Sequence, residues 1–92
     1  MVKLQFDVDV IWRLYIVRCR DGTLYTGITN DIVHRLAKHN DGTGSRYTRS
    51  RLPVELIYQE PCSGRSEALR KEHAIKKLSR TAKKAYIQRN EK

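Results

Sequence analysis

Residues 14–39, LYIVRCRDGTLYTGITNDIVHRLAKH, read as a β-hairpin running directly into a helix, and the rest of the chain is arranged around them. Leu14–Cys19 and Leu24–Ile28 are rich in β-branched and aromatic residues, the composition of strands. Asp21-Gly22 between them is a turn signal, because glycine takes positive φ without steric cost. The loop length decides which face each side chain occupies. A two-residue loop at Asp21-Gly22 would put Tyr15 and Tyr25 on opposite faces. A three-residue loop, Arg20-Asp21-Gly22 with Gly22 left-handed, puts both phenols on one face and sets Tyr15 opposite Gly27. The three-residue form is the expected one, with the missing side chain of Gly27 leaving room for a ligand above the phenol.

Thr29, Asn30 and Asp31 can each cap the helix expected over Asp31–Asn40. At about 100° per residue, Ile32, Val33, Leu36 and Ala37 form its buried stripe, and His34 and Lys38 face solvent. Arg35 and His39, one turn apart, fall on the edge of that stripe and can reach the rim of the sheet. Two phenols, a guanidinium and an imidazole therefore converge from one short stretch. Asp41-Gly42-Thr43-Gly44 ends the helix with a glycine cap.

Ninety-two residues make one domain with a small core, 11–92, preceded by an alternating segment over 1–10 that reads as an arm or extra edge strand. No apolar run is long enough to span a membrane, and MVKLQFDVDV lacks the pattern of a signal peptide. Cys19 and Cys62 have no metal-ligand spacing and read as reduced thiols of a cytoplasmic protein. Charge is the informative quantity. Nineteen basic against ten acidic residues give +9, and +7 of it lies between Arg70 and Lys92. A second cluster, Arg46, Arg49 and Arg51, is interleaved with Tyr47 in the loop SRYTRSRL. Such a field draws polyanions, arginines take phosphate bidentately, and a tyrosine offers a face for stacking. Arg46, Tyr47, Arg49, Arg51, Lys76, Lys83 and Lys84 are the candidate nucleic-acid contacts.

Pro53 and Pro61 bracket a third strand, Val54–Glu60. A second helix, capped by Ser63 or Ser66, is expected to run to Leu78 or Ser79, with Ala68, Leu69, Ile75 and Ser79 on its inner side. Glu72 falls in the middle of that stripe. A buried carboxylate is costly unless it is paired or binds a metal, so Glu72 is either an ion-pair partner, with Arg35 the nearest candidate, or a metal ligand or tuned acid. A last helix over Arg80–Asn90 turns Ala82, Ala85, Tyr86 and Arg89 to one side and Lys83 and Lys84 outward. The fold class is therefore α/β (α+β), a three-stranded antiparallel sheet flanked by helices.

One convergent carboxylate argues against two-metal nucleases and glycosidases, which need pairs. There is no P-loop, no dinucleotide fingerprint and no nucleophile elbow. Phosphodiester hydrolysis fits the groups present. Glu72 could hold one Mg²⁺ (or Mn²⁺), Arg35 could stabilise the pentavalent phosphorus, and a phenol near His39 could take a proton from water.

Leu14-Tyr15, Tyr25-Thr26-Gly27, Arg35 and His39 in a helix, and Glu72 in a later helix together resemble the GIY-YIG nuclease superfamily, in particular its small stand-alone bacterial members. The resemblance covers about Trp12 to Leu78. It implies that Tyr15 is the general base or its relay to water, that Tyr25 shapes the site and contacts phosphate, and that Arg35 is the catalytic arginine. It further implies that His39 positions a tyrosine or moves protons and that Glu72 binds the single metal ion. The activity implied is metal-dependent DNA cleavage, structure-selective or weakly specific, in a repair or recombination setting. A homodimer or separate recognition subunit would be the partner. Two positions depart from the pattern: Arg13 replaces the first glycine, and Thr26 replaces an isoleucine. Those departures, with the +9 charge, also admit a basic module that binds nucleic acid without cutting it.

Overall fold

The turn at Arg20-Asp21-Gly22 takes the three-residue form. Cys19 N donates to Thr23 O at 2.9 Å, Gly22 N donates to Cys19 O at 2.9 Å, and Gly22 has φ +87°. Asp21 Oδ1 accepts from both the amide (3.1 Å) and the hydroxyl (2.6 Å) of Thr23, which locks the turn. The register follows: β1 (Arg13–Arg18) pairs antiparallel with β2 (Leu24–Thr29), and Tyr15 stands opposite Gly27. The third strand, β3 (Glu55–Pro61), pairs antiparallel with the other edge of β1, with a register shift at Ile57, giving the order β2-β1-β3. These elements belong to a computed structural model that describes residues 11–91, so the expected arm or edge strand over 1–10 lies outside the described residues.

Helices cover both faces. Leu14, Ile16, Leu24 and Tyr58 pack under α2 (Arg65–Lys76) and α3 (Arg80–Asn90) through Ile75 and Ile87. Tyr15, Val17, Cys19 and Val54 pack on the opposite face under α1 (Ile32–Asn40) through Ile32 and Leu36. Each fully buried Leu, Ile or Val is worth roughly 1.5–3 kcal/mol, enough for β1 to anchor both layers. Glu60 ties the elements of the first face together. Its Oε1 accepts from the hydroxyls of Tyr58 (2.6 Å) and Tyr86 (2.5 Å), and its Oε2 accepts from Lys71 Nζ (2.5 Å). Burial pushes this carboxyl up, but the donors from Lys71, Tyr58 and Tyr86 outweigh it and hold the carboxyl below the usual range.

Three helix expectations need correction. Helix α1 is rotated from the apolar stripe: its inner residues are Ile32, Arg35, Leu36 and His39, whereas Ala37 is exposed and Val33 is 77% exposed. The layer beneath it holds a phenol, and the rotation brings hydrogen-bonding groups to that phenol at the expense of one valine. Helix α2 has Gly64 as N-cap with no side-chain cap bond; neither Ser63 nor Ser66 caps it. Glu67 takes over, accepting from Ser63 N at 2.6 Å from within the first turn. The helix ends at Lys76, and Ser79 instead caps α3 by accepting from Ala82 N at 3.1 Å. Leu69 is consequently exposed. In α3 the inner residues are Ala82, Lys83, Tyr86 and Ile87, with Ala85 and Arg89 outside.

Chemical denaturation tests this arrangement. Ile16→Ala should cost about 2–5 kcal/mol, the range for a buried aliphatic truncation. Val33→Ser should stay within about 0.5 kcal/mol of wild type, and a core-sized loss there would refute the orientation of α1.

Candidate active site

The site begins with Tyr15, in the middle of β1 and fully buried. A Cβ at Gly27 would lie 2.5 Å from the Tyr15 hydroxyl, so only glycine fits opposite it. The space expected to receive a ligand therefore holds the phenol itself. Asp31 starts α1 by accepting from His34 N at 3.1 Å, and that start fixes the phase of Arg35 and His39 above the sheet. His39 is fully buried, not at the edge.

The hydroxyl of Tyr15 lies 2.8 Å from His39 Nε2 and accepts from Arg35 Nε at 3.3 Å. Arginine can only donate, so the phenol proton is directed at Nε2. That assigns the His39 proton to Nδ1, which donates to Thr48 Oγ1 at 2.8 Å. Thr48 is itself fully buried and held by Ser45, whose Oγ lies 2.9 Å from Thr48 Oγ1 and accepts from Thr48 N at 3.1 Å. Arg35 Nη2 donates to Gly44 O at 2.9 Å, and Gly44 lies so close to His39 that a Cβ there would fall 2.7 Å from its backbone and ring. Asn40 closes the loop by exchanging two hydrogen bonds with the backbone of Val54, at 2.8 and 3.2 Å. Gly44, Ser45, Thr48 and Asn40 are functional or supporting residues that sequence reading missed. Thr48 lies within the basic loop and carries no hydropathy or spacing signal.

The electrostatics suit proton handling. Burial raises the Tyr15 pKa, while the Arg35 hydrogen bond and charge oppose that rise. Burial, then the Arg35 charge, lowers the His39 pKa, leaving a neutral imidazole with a lone pair aimed at the phenol. The hydrogen bond to Tyr15 leads the effects that keep Arg35 charged.

Tyr25 shares this face. Its ring meets His39 edge-on at 5.4 Å and stacks with Tyr47 at 5.9 Å. Arg51 lies 3.9 Å over the Tyr47 ring, donates to Tyr47 O (2.7 Å), and pairs with Asp21 (3.1 Å). Tyr47 and Arg51 thus buttress Tyr25 and the hairpin turn, with their binding groups already engaged within the protein. Arg46 and Arg49 of the same loop are exposed.

Glu72 enters from α2 across β2, near enough for its charge to act on Tyr15, and its side chain is 18% exposed. Its partner is not Arg35 but Lys76, at 3.4 Å one helical turn on. Among the described residues no cluster of three metal-ligating side chains exists. A lone, accessible carboxylate nonetheless fits Mg²⁺, which keeps several waters and takes one or two protein carboxylates. Two lysines differ from expectation or stand apart. Lys83 does not face out: it is 8% exposed, donates to Leu24 O at 3.3 Å, and its pKa is lowered by burial and then by Lys76. Lys84 is exposed across the sheet, lining a groove with Ile57 and Ala85 away from the site. Arg13 pairs through its backbone with Thr29 and Pro61, and its side chain makes no ion pair among the described residues.

Comparison with known proteins gives the same architecture. A model of the GIY-YIG catalytic domain matches residues 11–86. A UPF0213 protein of Desulfotalea psychrophila is 55% identical over 82 residues, covering 88% of this chain and 74% of its own. The solution NMR structure of a UPF0213 protein from Bacillus halodurans shares 38% identity, covers 87% of this chain and 85% of its own, and superposes with TM-score 0.57. A second NMR structure, from E. faecalis, shares 41% identity over 85% of this chain and 83% of its own, with TM-score 0.61.

Two measurements probe the buried network. Gly27→Ala should expel the Tyr15 hydroxyl from between Arg35 and His39, lowering stability by about 1–3 kcal/mol, the cost of overpacking and of unpaired buried groups. An unchanged denaturation midpoint would contradict the close contact. His39 has a folded pKa below its ordinary 6.5, so the unfolded chain binds the extra proton first. Its contribution to stability is full above about pH 6.5 and is lost as the pH falls toward the folded pKa. The denaturation midpoint should therefore drop as the pH falls below about 6.5, and His39→Gln should flatten that slope.

Proposed function

This chain belongs to the GIY-YIG catalytic-domain family, and from that premise we propose that it is a DNA endonuclease using one Mg²⁺ or Mn²⁺ ion at Glu72. The observation that carries this reading is the buried Tyr15–His39–Thr48 chain, covered by Arg35, with the half-buried Glu72 carboxylate near enough for its charge to act on Tyr15.

The residues divide the work. Glu72 would hold the ion, whose chemistry is to polarise phosphate oxygens and to lower the pKa of water. Tyr15 takes a proton from the attacking water while passing its own to His39 Nε2. His39 holds that proton only briefly, because burial and the Arg35 charge both disfavour the imidazolium. Thr48 keeps Nδ1 occupied, so Nε2 is the only open acceptor on the ring. Arg35 covers the Tyr15 oxygen in the resting site. A phosphate that draws the guanidinium toward itself uncovers the phenol to water and receives the charge that stabilises pentavalent phosphorus. Tyr25, stacked on Tyr47, lines the phosphate side of the site. Arg46 and Arg49 supply backbone contacts, which position nucleic acid without reading its sequence. Weakly specific or structure-selective cleavage follows from contacts of that kind. The free thiols of Cys19 and Cys62 suit a cytoplasmic enzyme.

The full burial of Tyr15 favours one other reading, a basic module that binds nucleic acid and leaves it intact. One assay separates the two. Linear duplex, flap, fork, four-way junction and single-stranded DNA are incubated with Mg²⁺, Mn²⁺ or EDTA. Cutting should require the metal, and Glu72→Ala should lower its rate about 10²-fold or more while DNA binding persists. Binding without cleavage of any substrate would establish the module instead.

A further inference from the structure

Lys76, expected from the sequence only as one of seven general nucleic-acid contacts, lies inside the candidate site, beside Glu72 and Tyr25. Its ammonium is 3.4 Å from Glu72 Oε2 and 5.9 Å from the centre of the Tyr25 ring. It therefore lies near both the carboxylate and the Tyr25 ring. It is also the only cation within ion-pair distance of Glu72 among the described residues, because Arg35 is committed to Tyr15 and Gly44. The pair is loose: Lys76 is half exposed, and an i,i+4 Glu–Lys pair at a helix surface is worth only a few tenths of a kcal/mol. Such a contact adds little to the fold and is easily exchanged for a stronger one.

We infer that Lys76 is an exchange cation: it neutralises Glu72 while the site is empty and moves onto the phosphate of the DNA when a divalent ion takes the carboxylate. The inference rests on the proposed role of Glu72 as metal ligand and adds to it a substrate-binding residue and an order of events. The flexible four-carbon stem lets the ammonium change partners without moving α2. Its rest position is 5.9 Å from the ring of Tyr25, the residue proposed to line the phosphate side. The exchange keeps the charge of the site balanced. A carboxylate alone would repel the DNA backbone, and a free lysine beside a bound ion would repel the ion.

Binding measurements test this without turnover. Mn²⁺ affinity is read by electron paramagnetic resonance for the wild type, Lys76→Met and Glu72→Gln. Removing the competing charge should tighten Mn²⁺ binding in Lys76→Met by about threefold to tenfold, and Lys76→Gln should behave alike. Glu72→Gln should lose the site. Affinity for a short fluorescent DNA duplex is then measured in EDTA over a salt series. With Glu72 present, Lys76→Met should barely change the salt dependence, since the ammonium is held by the carboxylate. In the Glu72→Gln background the lysine is released, and Lys76→Met should lower the slope of log affinity against log salt by about one. Glu72-dependent Mn²⁺ binding that is unmoved by both Lys76 variants would overturn the exchange and leave the proposed active site standing. Mn²⁺ binding unaffected by Glu72→Gln would overturn both.

Discussion

The hydroxyl of Tyr15 is the point on which the molecule turns. It is buried under α1, between a guanidinium and an imidazole, and each of the three groups would be costly to bury alone. Their mutual hydrogen bonds satisfy them, provided that every element arrives at the right height. The left-handed Gly22 sets the hairpin register, the register puts Gly27 against the ring, and Asp31 sets the phase of α1. Gly44 lets the loop approach His39, and Thr48 completes the chain from inside that loop. A one-residue slip in the hairpin would turn Tyr15 to the opposite face and take from Arg35 and His39 the partner they share.

The charges around Tyr15 are sorted by exposure. Burial lowers the pKa of His39 and raises that of Tyr15, so neither carries charge at rest. The permanent charges of the site, Arg35, Glu72 and Lys76, stand nearer the solvent, where changing partners is cheap. The opposite face follows another logic. Glu60 gathers Lys71, Tyr58 and Tyr86 into a fixed knot between β3, α2 and α3, holding in place the helix that carries Glu72. A rigid support behind the carboxylate suits the cation exchange proposed for it.

How much of this could be read from the residues depends on which force decided each feature. The hairpin register was legible because turn chemistry is local: Asp21-Gly22 and the positions of the two tyrosines leave only a few loop lengths to weigh. The meeting of Tyr15, Tyr25, Arg35 and His39 was legible for the same reason, since all four lie within one short stretch. The phase of α1 was not. Hydropathy assigns Val33 to the core and Arg35 to its margin, whereas a satisfied polar network reverses that preference and leaves the valine in water. Lys83 repeats the lesson, since an inward lysine with a carbonyl partner, Leu24 O, looks like any exposed lysine in sequence. Thr48 was illegible in kind, because its role depends on a loop returning across α1.

The closure of Tyr15 gives the site its remaining logic. A phenol open to solvent beside a basic surface would meet water whether or not DNA was present. Here the group that covers the phenol, Arg35, is also the group with the most to gain from a phosphate. In the proposed mechanism, uncovering Tyr15 and engaging the phosphate are one movement of one side chain. The histidine behind the phenol needs no adjustment, because Thr48 has already fixed its tautomer. The energy of preparing the relay is met by folding, and what is left for the substrate to supply is the exchange of the Arg35 hydrogen bonds to Tyr15 (3.3 Å) and Gly44 (2.9 Å) for a phosphate.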